Sequence, residues 1–559
     1  MSCRTGLPVD NLPSAATGDG METMPGKAPT YGRAPQSPRR TPTGRVSEAL
    51  LDRLASRIAT QGIRDAFEVR IPFTGETLGL LPACAPEDVR HAVRTAREEQ
   101  LRWARTRYEE RAKILLRFHD LLLDRQEEAM DLIQLESGKA RRHAFEEVIG
   151  TANTVRYYVN VAERILRPRK RQPPLPGIST TWQYHHPVGV VGFIAPWNFP
   201  LLLAVDDLVP CLLAGNGAVL KPDEQTSFSA LWALDLLLEA GLPFGLFSIV
   251  TGSGPALGPA LVEEVDYICL TGSAATGRIV GRQAGERLIG CSLELGGKNP
   301  MIVRADADLD RAVKGAVWGC FTGAGQVCMG IERIYVHRNV YEPFVERFVR
   351  QTRQLRLSAS LDWGADVGSL TTERQLRKVV EMVDDAVQKG ARVLCGGRRR
   401  EDIGPYFYEP TVLEGVTPEM RLHSEEVFGP VVWIDAFLTD EEAVQKANQT
   451  PYGLAAAIYS ADVESARNLA TWIRAGTVTV NDAYPLGWGA VDAPMGGMKT
   501  SGVGRRHGEE GLRRFTQAQT VVDNRGPLFA PPAGEAGARR FARVMTGLLR
   551  TWRRIPFLP

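Results

Sequence analysis

The stretch that decides the fold begins at Val188 and reads VGVVGFIAPWNFP up to Pro200. Its first half is rich in β-branched residues and is bounded by proline, which is typical of a buried strand. The pattern then alternates between helical segments and short apolar runs, at residues 201–214, 218–221, 228–240, 247–250 and 266–270. Strands that alternate with helices at this spacing predict a parallel sheet with right-handed crossovers. The predicted fold class is therefore α/β.

The regions on either side extend this pattern. Residues 49–164 are predicted to be mainly helical, because apolar residues recur at helical spacing among charges. The proline-rich run 167–177 predicts a linker or an extended crossing strand. A second alternating region covers about 301–480, with a helix near 340–355 and strands near Val412 and Val431. No internal repeat is visible.

Composition excludes several classes of protein. The 559 residues correspond to roughly three to four domain-sized units at about 150 residues each. Lys plus Arg is 67 and Asp plus Glu is 65, so the net charge of +2 argues against a nucleic-acid partner. No apolar run approaches the roughly 18 residues of a membrane span. Residues 1–45 lack the apolar segment of a secretory signal and are predicted to be a disordered leader, which favours a cytoplasmic protein.

The eight cysteines are predicted to be free thiols without zinc. No Cys-x-x-Cys pair occurs and no histidines cluster near them, so no metal site is expected. At most one or two of the thiols should be reactive, and the rest are expected to be small buried residues.

The end of the chain, residues 526–559, predicts a basic amphipathic tail. From Phe541 the apolar residues fall on one helical face, and arginines supply the charge without any acidic residue after Glu535. Such a helix suits peripheral contact with a membrane surface or an acidic partner. The alternative is a helix that docks on the protein's own oligomer.

Two glycine-rich loops follow the last two strands of the first predicted sheet. One contains Gly254 and Gly258, and the other contains Gly272 and Ser273. A strand, a glycine turn and a helix N-terminus together form an anion site that fits a dinucleotide pyrophosphate. The glycine spacing departs from Gly-x-Gly-x-x-Gly, so plain tight turns remain the alternative.

Three residues have side chains suited to catalysis. Cys328 lies in the glycine-flanked run Gly323–Cys328 and is a candidate nucleophile, with a buried packing thiol as the alternative. Glu294 lies between two leucines before a Gly-Gly turn, where desolvation would make it a general base. A solvent-facing glutamate, or one paired with Lys298, is the alternative. Asn198, held between two prolines, is a candidate oxyanion donor or a structural turn residue.

Together these features make the sequence resemble the aldehyde dehydrogenase superfamily over about residues 65–522. Seven motifs carry the resemblance in order and spacing. They are Pro196–Pro200 (PWNFP), Leu220–Glu224 (LKPDE), Leu270–Ser273 (LTGS), Leu293–Lys298 (LELGGK), Gly325–Cys328 (GQVC), Glu425–Pro430 (EEVFGP) and Pro494–Gly502 (PMGGMKTSG).

The resemblance implies an aldehyde dehydrogenase-like architecture with three parts. A Rossmann-like NAD(P)-binding domain would comprise residues 46–166 and 187–295, and an α/β catalytic domain residues 296–486. A β-arm for oligomerisation would comprise 167–186 and 487–525. Such arms pair subunits, so a homodimer or homotetramer is expected.

The resemblance also implies a role for each matching residue. Cys328 would attack the aldehyde carbon, Asn198 would hold the oxyanion, and Glu294 would activate the water that hydrolyses the thioester. The cofactor would be NAD or NADP, and the residues that match its binding positions are Trp197, Lys221, Glu224, Gly254, Gly258, Gly272, Ser273, Glu426 and Phe428. A carboxylate at Glu224 repels a ribose 2′-phosphate and favours NAD.

The substrate is expected to be a small-molecule aldehyde. The sequence is similar to a bacterial subgroup of succinate-semialdehyde dehydrogenases of the NADP type, which implies that substrate. The residues expected around it are Phe199, Leu202, Asp206, Thr322, Met329 and Trp488. Asp206 and Thr322 appear where related semialdehyde enzymes have arginines, and Asp206 would repel an acid. A medium- or long-chain aliphatic or an aromatic aldehyde is therefore the alternative.

Overall fold

The computed structural model describes residues 45–174, 178–526 and 528–554. Its strands are β1 Ala66–Arg70, β2 Thr77–Pro82, β3 Arg169–Arg171, β4 Ser179–Pro187, β5 Val190–Ile194, β6 Gly217–Lys221, β7 Phe247–Ile249, β8 Tyr267–Thr271, β9 Gly290–Glu294, β10 Asn299–Val303, β11 Ile331–His337, β12 Arg392–Cys395, β13 Thr411–Glu414, β14 Val431–Phe437, β15 Ala455–Tyr459, β16 Thr477–Val480, β17 Gly502–Val503 and β18 Thr516–Asn524.

The helices surround these strands. They are α1 Glu48–Ala55, α2 Pro86–Trp103, α3 Tyr108–Asp124, α4 Gln126–Ser137, α5 Arg141–Leu166, α6 Leu202–Val205, α7 Leu208–Leu213, α8 Ser227–Glu239, α9 Gly254–Glu264, α10 Ala274–Glu286, α11 Leu309–Phe321, α12 Tyr341–Arg353, α13 Glu373–Gln388, α14 Arg421–Ser424, α15 Asp440–Asn448, α16 Val463–Ala470, α17 Pro485–Gly489, α18 Gly508–Arg513 and α19 Glu535–Trp552. In the described ranges no helix is both long enough and apolar enough to span a membrane.

The first sheet has six strands in the order β17-β9-β8-β5-β6-β7. β5 to β9 pair in parallel, and only the short β17 runs antiparallel, against β9. These strands read as continuous apolar runs because helices cover both faces of the sheet. The carboxyl ends of parallel strands meet at one edge, so the loops after β5, β6, β7, β8 and β9 converge there.

The second sheet has seven strands in the order β12-β13-β14-β11-β10-β15-β16. All neighbours are parallel except β12, which pairs antiparallel with β13 at one edge. Its apolar core is separate from that of the first sheet and draws its buried residues from Met301 to Ala475. Two mostly parallel sheets with flanking helices confirm the predicted α/β class.

The third sheet contains β3, β4 and β18, all antiparallel. β4 and β18 pair over nine residues each, from Pro187 opposite Thr516 to Ser179 opposite Asn524. β3 lies in the proline-rich run, so part of that run is an extended strand, while Leu175–Gly177 lie outside the described residues. Most of β18 is exposed, including Val521 and Val522.

The structure departs from the predicted pattern in two places. Within the region predicted to be mainly helical, β1 and β2 form an antiparallel hairpin. Its turn contains Gly75 at φ 76°, a backbone conformation that favours glycine. The segment predicted as one helix at 201–214 is divided into α6 and α7, which are four and six residues long. The predicted leader, residues 1–45, lies outside the described residues except for Arg45.

Candidate active site

The loop that carries Cys328 has an unusual backbone. After α11 the chain makes a tight turn at Thr322–Gly325, and Gly323, Ala324 and Gly325 all have positive φ between 55° and 72°. A Cβ at Gly325 would collide with the carbonyl oxygen of Gly429, so only glycine fits there. The Gln326 side chain closes the turn by donating to the Gly323 carbonyl at 3.0 Å. The local sequence thus fixes the position of the Cys328 thiol.

Asn198 is bound to this same loop. It follows β5, is buried, and donates from Nδ2 to the Gln326 carbonyl at 2.9 Å. Its own carbonyl accepts from Lys139 Nζ at 2.6 Å, and Lys139 forms a buried ion pair with Glu147, also at 2.6 Å. The second N–H of the Asn198 amide remains available to a ligand. A side-chain amide held in this way is a preorganised donor.

Glu294 ends β9, between Thr271 of β8 and Gly502 of β17. It is buried, and neither carboxylate oxygen has a hydrogen-bond partner among the described residues. Burial raises its pKa to about 7, although Arg506 opposes the rise. The predicted alternative of a pair with Lys298 is excluded, because Lys298 is bonded to Glu332 at 2.6 Å. A carboxyl that titrates near neutrality is suited to general-base chemistry.

The Cys328 thiol lies within electrostatic reach of the same groups. Burial raises its pKa to about 12, Arg506 lowers it, and Glu426 and Glu294 raise it further. The thiol is therefore protonated at neutral pH in the structure as it stands. Formation of a thiolate requires a proton acceptor or an added positive charge nearby.

A cluster of buried charges lies behind these residues, and sequence reasoning missed its central member, Arg506. Arg506 contacts Asp207 at 3.1 Å and Asp206 at 3.8 Å, and His507 contacts Asp206 at 3.2 Å. Arg514 also pairs with Asp207. Burial would raise the pKa of Asp206, but the contacts with His507 and Arg506 hold it below its usual value.

The glycine loops precede two helix N-termini at the edge of the first sheet. Gly254 is the first residue of α9, which also contains Gly258. Ser273 caps α10 by accepting from Thr276 N at 3.2 Å, and Gly272 N donates to the Glu294 carbonyl at 3.0 Å. A Cβ at Gly254 or Gly258 would meet no atom within 4 Å. The two helix N-termini and the open space at these glycines fit the pyrophosphate of a dinucleotide.

Lys221 ends β6 and Glu224 follows it at the same edge. Lys221 is buried and donates one hydrogen bond, from Nζ to the Pro222 carbonyl at 2.7 Å, so two of its N–H groups remain available. Burial lowers its pKa. Glu224 is exposed and begins a short 3₁₀ turn. A buried ammonium beside an exposed carboxylate fits the hydroxyls of a ribose.

Glu426 and Phe428 approach the cleft from the second sheet. The Glu426 carboxylate accepts from Gly297 N at 2.8 Å, and burial raises its pKa to about 7. Phe428 has φ 58°, and its ring lies edge-on to that of Trp197, with centroids 5.4 Å apart. The two domains predicted to share the cofactor are thus in contact at this point.

The turn that presents Glu426 and Phe428 depends on Glu332, which sequence reasoning did not single out. The Glu332 carboxylate accepts from the backbone N–H groups of Val427 and Phe428 at 2.8–3.0 Å and from Lys298. Lys298 belongs to the same motif as Glu294. The signal for this role was an acidic residue near the start of a buried strand.

A cleft that is open to solvent leads to Cys328. Of the predicted substrate residues, Phe199, Leu202, Met329 and Trp488 line it. Asp206 and Thr322 do not. The carboxylate of Asp206 faces His507, Arg506 and Thr154, and the Thr322 hydroxyl donates to the Trp318 carbonyl at 2.8 Å. The expectation that Asp206 repels an acidic substrate at the cleft wall is therefore wrong.

The cleft wall also contains Tyr484, which the sequence suggests, and Glu146, which it does not. The Tyr484 hydroxyl donates to Glu146 Oε2 at 3.0 Å. Among the described residues the cysteines are free thiols, and no group of three or more His, Cys, Asp or Glu is placed to hold a metal ion.

Comparison with known proteins identifies the family. The sequence profile of the aldehyde dehydrogenase family matches residues 58–521. A relative from Mycolicibacterium smegmatis, provisionally named succinate-semialdehyde dehydrogenase [NADP(+)], is 46% identical over 512 residues, covering 91% of this chain and 99% of that relative.

Solved structures share the fold. Betaine aldehyde dehydrogenase from Staphylococcus aureus in complex with NAD+ superposes with a TM-score of 0.81 at 30% identity, over 87% of this chain and 100% of that chain. An NADP-dependent enzyme from E. coli superposes with a TM-score of 0.79 at 33% identity, over 84% of this chain and 97% of that chain. The predicted family and fold are confirmed, and the chain belongs to the aldehyde dehydrogenase family, whose members oxidise aldehydes with NAD(P)+.

Proposed function

We propose that Cys328, Glu294 and Asn198 carry out the oxidation of an aldehyde to a carboxylic acid. The observation that supports this most strongly is their convergence. The Asn198 amide is bonded to the Cys328 loop at Gln326, and Glu294 lies close enough to raise the pKa of the Cys328 thiol. The candidate nucleophile, the candidate oxyanion donor and the candidate base therefore lie in one site.

The proposed reaction starts when the Cys328 thiol passes its proton to solvent water and the sulfur attacks the aldehyde carbon, giving a thiohemiacetal. The Asn198 amide and the Cys328 backbone N–H donate to the oxygen that becomes negative. NAD(P)+, held by the residues named in the next paragraph, would supply the hydride acceptor at that carbon, and loss of the hydride would leave a thioester on Cys328. Glu294 then takes a proton from water, and the resulting hydroxide attacks the thioester and releases the acid. An enzyme that transfers the acyl group to coenzyme A would not need Glu294.

The residues proposed to hold the cofactor are Trp197, Lys221, Glu224, Gly254, Gly258, Gly272, Ser273, Glu426 and Phe428. The open space at Gly254 and Gly258 and the spare donors of Lys221 support this assignment. Within NAD(P), we propose a preference for NAD. The exposed Glu224 carboxylate can accept from two ribose hydroxyls but repels a 2′-phosphate.

The resemblance to the aldehyde dehydrogenase family also supports a division of the chain into domains. We assign residues 46–166 and 187–295 to NAD(P) binding, 296–486 to catalysis, and 167–186 with 487–525 to an arm. The separate apolar cores around the two large sheets support the first two assignments. The long exposed edge of β18, with its apolar Val521 and Val522, supports pairing of the arm with a second copy in a homodimer or homotetramer.

Two substrate classes have support. The names of the mycobacterial relatives, at 45–46% identity, favour succinate semialdehyde. The cleft itself favours a medium-chain aliphatic or an aromatic aldehyde, because its described lining is mostly apolar and includes no Lys, Arg or His. Succinate semialdehyde is the first candidate, and hexanal represents the second.

A substrate panel tests the proposed function. Reduced cofactor is followed by absorbance with succinate semialdehyde, hexanal, decanal and benzaldehyde, each with NAD+ and with NADP+. The Cys328→Ala variant provides the background rate. Cysteine-dependent turnover of at least one aldehyde is expected, whereas equal rates in the variant and the wild type would contradict the proposal.

We further propose that the C-terminal tail, 526–559, contacts an anionic membrane surface. None of the residues of α19 is buried, and Val544, Leu548 and Leu549 leave an apolar face exposed beside several arginines. Sedimentation with vesicles that contain phosphatidylglycerol should deplete the full chain but not a chain ending at residue 525. Equal depletion of both would exclude the tail as an anchor and favour its docking on the oligomer.

A further inference from the structure

The aldehyde cleft contains two buried polar atoms with no hydrogen-bond partner among the described residues. They are Oε1 of Glu146 and Nε1 of Trp488, and both residues line the cleft beside Cys328. Buried polar atoms are normally bonded, so two such atoms at one cavity require a reason. The simplest reason is a ligand that bonds to both.

The two atoms are near the same stretch of α5. Glu146 and Gly150 are one helical turn apart, which places their Cβ positions about 5–6 Å from each other. Trp488 Nε1 lies 3.6 Å from the position that a Cβ at Gly150 would occupy. Both side chains therefore lie along the same turn of α5. A ligand carboxylate accepts hydrogen bonds at about 2.7–3.2 Å on each of its two oxygens, which gives one acceptor for each of the two groups.

Both side chains are held in place. The other oxygen of Glu146, Oε2, accepts from the Tyr484 hydroxyl at 3.0 Å. The Trp488 ring packs edge-on against His507, with centroids 5.2 Å apart, and the Arg506 guanidinium lies over it at 5.6 Å. The absence of a partner at Oε1 and Nε1 is thus not the result of a loosely held side chain.

The protonation state of Glu146 decides whether it can bind an anion. Burial raises its pKa to about 7, the Tyr484 hydroxyl and Lys139 oppose the rise, and Glu147 adds to it. Cys328 lines the same cleft, and Arg506 and His507 contact the Trp488 ring. Below neutral pH the carboxyl is a neutral donor, like the indole N–H. Above it, the carboxylate repels an anion and attracts a cation.

We propose that the protonated Glu146 carboxyl and the Trp488 indole together hold the distal carboxylate of a semialdehyde substrate, in place of an arginine. This rests on the proposed oxidation of an aldehyde at Cys328 and explains how an acid can enter a cleft whose described lining offers no cation. The bound carboxylate shares the proton of Glu146 and keeps it on the pair, because two carboxyl groups in contact cannot both ionise.

The test compares kcat/KM for succinate semialdehyde with kcat/KM for hexanal between about pH 6 and about pH 8.5. Taking the ratio removes the titration of Cys328 and Glu294, which both substrates share. The wild-type ratio should fall about tenfold per pH unit above about pH 7. Glu146→Gln, an uncharged donor at every pH, should keep the high ratio and remove the fall.

Two further variants measure each donor. Glu146→Leu should lower the ratio at about pH 6.5 by about 10- to 100-fold, since a hydrogen bond to a charged group is lost. Trp488→Phe, which keeps the ring but removes the N–H, should lower it about 3- to 10-fold. Circular dichroism and the Tm show whether each variant folds.

Other outcomes overturn the inference. A ratio that does not depend on pH would exclude Glu146 as the donor. A ratio that collapses in Glu146→Gln, together with turnover of betaine aldehyde that rises with pH, would assign the cleft to a cationic aldehyde instead. Absence of turnover with both succinate semialdehyde and hexanal in the wild type would instead contradict the proposed function itself.

Discussion

The cofactor-side wall and the aldehyde-side wall of the active-site cleft reach Cys328 from different kinds of elements. On the cofactor side, Lys221 and Glu294 end the parallel strands β6 and β9, and Ser273 follows the parallel strand β8, all at one sheet edge. On the aldehyde side, Glu146 lies inside the long α5 and Trp488 in the short α17. Strand ends bring their residues together by topology, whereas helix faces do so only through tertiary packing. The first wall is therefore common to many members of a fold, and the second can vary with substrate.

The largest expected effect is at the residue that both walls share. Cys328→Ser replaces the thiol by a hydroxyl, which is a much weaker acid and a much weaker nucleophile, so kcat should fall by about 10⁴-fold or more. The measurement is the rate of cofactor reduction with the best substrate of the panel.

The matched control for this variant is Cys320→Ser. Cys320 is also buried, in α11, and the proposed mechanism gives it no role. This control variant should be less stable than the wild type but should keep a near-normal kcat. A serine at position 328 that turned over at a near-normal rate would exclude the covalent mechanism on which both walls depend.

Glu294 belongs to the cofactor side and should produce the second-largest effect. Glu294→Gln removes the base but keeps the shape, and general-base catalysis contributes about 10²- to 10⁴-fold. Because burial raises the pKa of Glu294 to about 7, the deprotonated base and hence kcat should increase as the pH rises through about 7. A burst of reduced cofactor before a slow steady state should appear in the variant, since the thioester still forms.

The burst also distinguishes a role of Glu294 in hydrolysis of the thioester from a role before hydride transfer. A variant that loses the burst together with turnover would place Glu294 before the hydride step and not in hydrolysis.

Arg506 connects the two walls, because it lowers the pKa of both Glu294 and Cys328 and also lies over Trp488. Arg506→Gln removes that charge, so the pKa of Glu294 should rise by about one unit and the ascending limb of kcat should move to higher pH. The pH profile of kcat in the folded fraction gives the measurement.

Arg506→Lys is the matched control, since it keeps the charge and should restore most of the profile. The neutral variant also leaves Asp206 and Asp207 with fewer partners and should lose about 3–5 kcal/mol in the free energy of unfolding. A profile that stays unshifted in Arg506→Gln would limit the role of this residue to stability.

The difference between the walls also explains what the sequence could predict. Asn198, Glu294 and Cys328 lie beside glycines and prolines in runs whose order matches a known family. Glu146 lies within the helix α5 next to another acidic residue, Glu147. The amino-acid sequence alone does not indicate which of the two faces the cleft. The structure shows that Glu147 is paired with Lys139, while Glu146 retains an unbonded oxygen.

The errors have a similar origin. Asp206 is predicted at the cleft wall because it matches a position where related semialdehyde enzymes have an arginine. Its neighbours in space, Arg506 and His507, lie about 300 residues away in the chain. No local pattern predicts such a pairing. The β1–β2 hairpin was missed because helical periodicity on both sides of it dominated the wider region, although Gly75 indicated a turn.

The smallest expected effect concerns the outer edge of the cofactor wall. Glu224→Ser removes the carboxylate that would repel a 2′-phosphate, so the NAD/NADP ratio of kcat/KM should fall by about tenfold, mainly through KM for NADP+. The effect is small because Glu224 is exposed and solvent screens its charge. Glu264→Ser, which removes a carboxylate at the far end of α9, is the matched control and should leave the ratio unchanged.

If the wild type already prefers NADP+, as the names of its mycobacterial relatives indicate for them, the Glu224 carboxylate must point away from the ribose. The substitution would then have no effect on the ratio, and cofactor choice would depend on Lys221 and the glycine loops instead.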